Sequence, residues 1–182
     1  MKSLKPCLPV LAVLLAGASI GCSNSANKSP DVSDGIHKAL DQAGFKDVST
    51  SEDRDKGVVT LSGHVATDGD KAQAESIAKS MAAGQVVADQ IAVVPPGDAH
   101  DAKAANSDLD KGIEQNLDAA LIQDRLNKRV KYSVKNHVVT LTGDVDSQAT
   151  RATAQQVAAS VPNVQQVVNE LQVKRQKATS SN

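Results

Sequence analysis

The densest run of cations in this chain is Arg125-Leu126-Asn127-Lys128-Arg129-Val130-Lys131-Tyr132-Ser133-Val134-Lys135. Val130, Tyr132 and Val134 alternate as one face of a strand, so Arg129, Lys131, Ser133 and Lys135 must share the other. Successive charges on that face stand about 6.6 Å apart. Such a stripe suits the phosphates of an anionic bilayer, where each Lys or Arg contributes about 1 kcal/mol before screening. Lys128 precedes it, and Lys174, Arg175 and Lys177 near the C-terminus extend it. The competing reading is a solvated face neutralised by Glu170 and Asp144, in which exposed pairs are worth about 0–1 kcal/mol.

The remaining reactive residue types point away from catalysis. His37, His64, His100 and His137 show no His-x-x-x-His spacing, and the two cysteines, Cys7 and Cys22, are not a ligand pair, so no metal and no cofactor is expected. Ser62 and Thr142 stand beside glycines without a Gly-x-Ser-x-Gly elbow. Asp53, Asp55, Asp68 and Asp70 fall in turns, where capping and solvation account for them. Nucleic acid is a poor partner, since single-strand binding wants aromatic platforms and only Phe45 and Tyr132 are present. The chain is not expected to be an enzyme.

What positions the stripe is a repeat. Lys56-Gly57-Val58-Val59-Thr60-Leu61-Ser62-Gly63-His64-Val65 lies on Asn136-His137-Val138-Val139-Thr140-Leu141-Thr142-Gly143-Asp144-Val145 at a shift of 80 residues. The match continues through Ala74 on Ala154, Ala78 on Ala158, Val87 on Val167 and Ile91 on Leu171. Upstream, Asp31, Gly35, Ile36 and Leu40 match Asp108, Gly112, Ile113 and Leu117 at a shift of 77, which implies three extra residues after the first helix of copy two. Each copy reads as helix, strand, strand, helix, strand. Ile113, Leu117, Ala120 and Leu121 form one helix face, Ser147 is a good N-cap, and Pro162-Asn163 ends the second helix. The predicted fold is α+β: two tandem small two-layer modules, each a three-stranded mixed sheet with helices on one face. Gly63 and Gly143 inside strands read as structural, marking a bulge or a close approach. In copy one, Thr50, Glu52 and Arg54 break the apolar alternation, so its edge strand is expected to be short or poorly paired.

Composition bounds the rest. Hydrophobic residues make up 40% and aromatics 1%, so the cores must be built from Val, Ile, Leu and Ala. Residues 31–94 carry 6 basic and 11 acidic side chains, residues 107–182 carry 10 and 8, and only the second copy is net cationic. Lys2 and Lys5 followed by an apolar run from Leu8 to Ile20 read as an export signal over 1–21, too short to persist as a spanning helix. Ala18-Ser19-Ile20-Gly21-Cys22 resembles the lipobox of bacterial lipoproteins, which implies lipidation of Cys22. Ser23 lacks the Asp that retains such proteins at the inner membrane, which favours the outer one. The expected layout is a tether over 22–30, modules over 31–94 and 107–175, a linker over 95–106 and a tail over 176–182.

The run Val-Val-Thr-Leu-Ser/Thr-Gly-x-Val, an Ala-rich helix and then Val-x-x-Val-Val-Asn-Glu-Leu-x-Val resembles the BON domain, in both copies. The resemblance implies an envelope or osmotic-stress role. A lipobox before two such modules is similar to dual-BON envelope lipoproteins in which the second module binds anionic phospholipid, and this implies contacts from Lys128, Arg129, Lys131, Lys135, Lys174 and Arg175. An alternative is a module that binds envelope proteins or protects under stress without recognising lipid. The sequence leaves the oligomeric state open.

Overall fold

A computed structural model describes residues 28–97 and 99–174. Within them, inward-facing aliphatics at period two in the strands and three to four in the helices fold each repeat into a sheet backed by helices. The first module comprises α1 (Ser33–Gln42), β1 (Val48–Asp53), β2 (Val58–Val65), α2 (Asp68–Met81) and β3 (Val86–Val93). The second comprises α3 (Ala99–Gln123), β4 (Val130–Lys135), β5 (Val138–Val145), α4 (Gln148–Ala159), β6 (Gln166–Asn169) and β7 (Gln172–Val173). In each, the first two strands form an antiparallel hairpin and the next strand joins in parallel after a helical crossover, giving orders β1-β2-β3 and β4-β5-β6, with β7 also paired to β5. The second sheet is thus four-stranded, its last strand interrupted at Glu170-Leu171.

Thr67 caps α2 by accepting from Asp70 N, and Ser147 caps α4 by accepting from Thr150 N. Each cap stabilises by about 1 kcal/mol. The alanines Ala74 and Ala78 of α2, and Ala154 and Ala158 of α4, are wholly buried against the strands. Around them lie Ile36, Leu40, Val59, Leu61 and Ile91 in module one, and Ile113, Leu117, Leu121, Val139 and Leu141 in module two.

Three sequence expectations need correction. Strand β1 is neither short nor poorly paired: it matches β4 in length and pairs with β2 throughout. Its inward Glu52 is held at the strand end, accepting from Val32 N (3.2 Å) and the Gln85 amide (2.7 Å). Second, the insertion is not three residues after the first helix. Phe45 N bonds Leu40 O (2.9 Å) as Leu126 N bonds Leu121 O (2.8 Å), with Gly44 and Arg125 left-handed at φ 95° and 58°. Val32, Ile36, Leu40 and Phe45 therefore correspond to Ile113, Leu117, Leu121 and Leu126. The offset from the sequence pairing is four residues, about one helical turn, which returns the same apolar face. Val48 and Val130 both pair with the strand glycine, so copy two gains one residue before its first strand and loses two in its hairpin. Third, residues 99–106, which show no apolar period in the sequence, are helical and form the first turns of α3, as the alanines at 99, 102, 104 and 105 favour.

The modules meet through the sheet faces turned away from the helices. Val58 and Ala88 pack on Val138 and Val168. Gln166 closes on the edge of β3, accepting from Asp89 N (2.9 Å) and donating to Val87 O (2.6 Å), as a paired strand would. Asn136 donates to Gln90 O (2.7 Å), and Lys56 pairs with Glu170 (2.6 Å). That carboxylate, hydrogen-bonded to Lys56, raises the lysine above its usual value.

Gly63 and Gly143 have φ 112° and 122°, and a Cβ at either would overlap a backbone carbonyl oxygen, of Asp47 and of Arg129 respectively. Gly143→Ala should lower the urea-unfolding free energy by about 2 kcal/mol or more, from left-handed strain plus displacement of that carbonyl. An unchanged midpoint would refute the close approach.

Candidate functional site

The alternation along β4 separates its side chains as the pairing requires. Val130 is buried and Tyr132 and Val134 pack on the core, while Lys131, Ser133 and Lys135 are exposed on the opposite face. Lys131 lies across from Thr142 and Lys135 across from Val138 on β5, so the two ammonium stems rise about 13 Å apart along one strand. Neither lysine has an ion-pair partner among the described residues. Arg129 differs, since it pairs with Asp146. Lys128 is exposed in the loop before β4. Lys174 is exposed just after β7, its N–H bonded to Val145 O (2.8 Å), which sets it by the end of β5 that also receives Val130. Arg175 and Cys22 lie outside the described residues.

Neutralisation by Glu170, one of the sequence readings, fails. Glu170 points across the seam to Lys56, its side chain only 11% exposed. Asp144 stays exposed beside β7. One cation was missed. Lys103, in the stretch read as linker, is exposed on α3 and lines a groove of about 390 Å³ with Lys135, His64 and Gly63. Its signal was the helix-favouring alanine run around it. Tyr132 turns its hydroxyl toward Glu114 O (3.4 Å), and burial, with Asp118 and Glu114 nearby, raises its pKa.

A second charged locus lies at the seam. Asp68, Lys71, Glu75, Lys79 and Asp89 line a cleft of about 360 Å³ with Gln165 and Gln166. Asp89 is 6% exposed and Oδ1 accepts from Ile91 N (3.1 Å). Asn169, at the same place 80 residues on, accepts from Leu171 N (3.2 Å), so the backbone role needs no charge. The amide of Asn169 also donates to Arg151 O and Gln155 Oε1 (3.1 Å each), whereas the corresponding residues of module one are Lys71 and Glu75. Burial pushes the Asp89 carboxyl up, Lys71 opposing and Glu75 adding to the effect. Among the described residues no group of three His, Cys or acidic side chains is arranged to hold a metal, and no helix is long and apolar enough to cross a membrane.

The BON domain model matches residues 32–95 and 109–175, and the chain belongs to the BON domain family. It is 31% identical to Osmotically-inducible protein Y of Escherichia coli (strain K12) over 137 residues, covering 74% of this chain and 67% of that protein. It is also similar to CdsD, a structural protein of the Type III secretion system of Chlamydia trachomatis, at 15% identity and a TM-score of 0.35, covering 76% of this chain and 90% of that one. A second CdsD structure, of the C-terminal domain, aligns at 16% identity and a TM-score of 0.33, covering 79% and 65%.

Because the folded pKa of Asp89 is raised above the ordinary 3.8, its stabilising contribution is full below that value and is lost as pH rises through the folded pKa. Urea titrations of wild type and Asp89→Asn should therefore diverge as pH increases from about 4 toward 7, with the asparagine variant gaining relative stability. Parallel curves would show that Asp89 titrates normally.

Proposed function

We propose that this protein is a non-catalytic, lipid-anchored lipoprotein of the bacterial envelope whose second module docks on anionic phospholipid during envelope maintenance or osmotic stress. Family membership and the likeness to an osmotically inducible protein support the envelope and stress part of this reading. The observation that carries the lipid part is Lys131 and Lys135 on the exposed face of β4, neither ion-paired among the described residues, with Lys103 in the groove of Lys135 and Lys128 and Lys174 exposed toward the Val130 end of the strand. Module one covers Val138 and Val168 of the same sheet face and shares a groove with Lys135, yet Lys131 and Lys135 both stay exposed. Acylated Cys22 supplies a standing anchor, so each headgroup contact needs only modest strength: about 1 kcal/mol per lysine suffices to orient the module. The outer membrane is the favoured surface, as Ser23 suggests.

A second reading, binding of envelope proteins, is favoured by one feature. Among the described residues no strand pairs with the outer edge of β4, which leaves backbone donors and acceptors for an added strand. The lysines on that edge also discourage such pairing, which weighs for lipid.

Protein lacking residues 1–22 should bind phosphatidylglycerol vesicles in flotation assays, and binding should fall as salt rises. Lys131→Glu with Lys135→Glu should weaken it by about 30-fold or more, two attractions of about 1 kcal/mol each being replaced by repulsions. Failure to bind at low salt would contradict the lipid reading and leave the protein-binding one. In cells, Cys22→Ser should abolish acylation, read as the loss of the acyl mass from the mature chain.

A further inference from the structure

Part of the seam is one contact made twice, although the clasp of Gln166 on β3 has no reciprocal, because Val86 stands at the corresponding place. Val58 and Ala88 of module one face Val138 and Val168, which occupy the identical places 80 residues later. Lys56 reaches Glu170, while Asn136, the counterpart of Lys56, reaches Gln90, the counterpart of Glu170. Residue i of one module thus meets j of the other and j meets i, which is the signature of an isologous, two-fold interface. The pairing of the two modules thus resembles that of a two-fold dimer joined by a linker.

We infer that this face also joins two copies of the chain, by exchange of modules: module one of each molecule docks on module two of the other. Such an exchange rebuilds every seam contact twice and needs no new surface, so the hinge alone sets the balance. The hinge contains Pro95-Pro96-Gly97, between β3 and α3. The prolines favour an extended course. Reversal falls on Gly97, whose φ is 100° and around which no atom lies within 4 Å of an added Cβ. A side chain there meets no obstacle and acts through the backbone alone. It disfavours the folded-back hinge and leaves both modules and their seam untouched.

A tight intramolecular connection supplies an effective concentration on the order of 1 mM, which keeps the wild-type chain closed in dilute solution. Anchoring many copies on one membrane surface raises the local concentration and favours the exchanged pair. The inference is independent of lipid recognition, because it reads association between chains.

The full chain in detergent, weighed by native mass spectrometry at about 100 μM, should be monomeric as wild type and largely dimeric as Gly97→Ala. Left-handed strain costs roughly tenfold per hinge, hence about a hundredfold in the dimerisation constant. Gly97→Asn, which tolerates positive φ, should fall between. The face is tested by Lys56→Glu and Glu170→Lys, each made in the Gly97→Ala chain. Either alone sets like charges at the seam of the closed monomer and of the exchanged pair alike, whereas mixing the two should draw both chains into heterodimers, since every seam in the mixed pair carries opposite charges. A monomeric Gly97→Ala chain that unfolds cooperatively, or a mixture of the two reversed chains with no excess of heterodimer over the statistical share, would overturn the proposal.

Discussion

The close seating of alanine on strand is the constraint on which the molecule depends. With only Phe45 and Tyr132 as aromatics, neither module can fill a deep core, so the helix must come down onto the sheet. Ala74 and Ala78, and Ala154 and Ala158, allow that approach and are wholly buried by it. Larger side chains would lift the helix and open voids around Leu61 and Leu141, where each lost contact is felt. The strand glycines serve the same economy of space on the hairpin side, where Gly63 and Gly143 admit the carbonyls of Asp47 and Arg129.

Thin modules have little stability to spare, and the seam between them adds to it while settling which surfaces remain free. Gln166 protects the edge of β3, and Val138 and Val168 withdraw part of the second sheet from solvent. What remains open is β4 with its lysines. Charge follows the same division: the acidic module supplies Lys56 to the seam and keeps Asp89 in its cleft, while the cationic module presents its row outward. Asn169 in place of Asp89 shows that the fold tolerates a neutral group at this position, so the carboxylate is a feature of module one and not of the architecture.

Much of this was legible before any coordinates. The 80-residue shift, the alternation of Val130, Tyr132 and Val134, and the cap at Ser147 each follow from a local rule, and the structure contains these elements. The misreadings share a physical origin. A four-residue slip keeps a helix face intact, so aliphatic pattern could not fix the register of Ile113 and Leu117. Ala-rich sequence without an apolar stripe looks like linker, yet it extends α3 and carries Lys103 to the groove of Lys135. Glu52 seemed to spoil β1, but its carboxylate takes up Val32 N and the Gln85 amide. Glu170 seemed to serve the stripe, although its partner lies 114 residues away in the other module. Pairings of single polar side chains across such separations leave no periodic trace.

The proposed docking surface is the exposed face of β4, and not the helical layer or module one. Backbone amide shifts followed by NMR during titration with phosphatidylglycerol bicelles test it residue by residue. Perturbations should concentrate at residues 128–135, with weaker effects near Lys103 and Lys174, and should vanish in phosphatidylcholine. Shifts confined to β1, α2 or α4, or equal responses to both lipids, would contradict it.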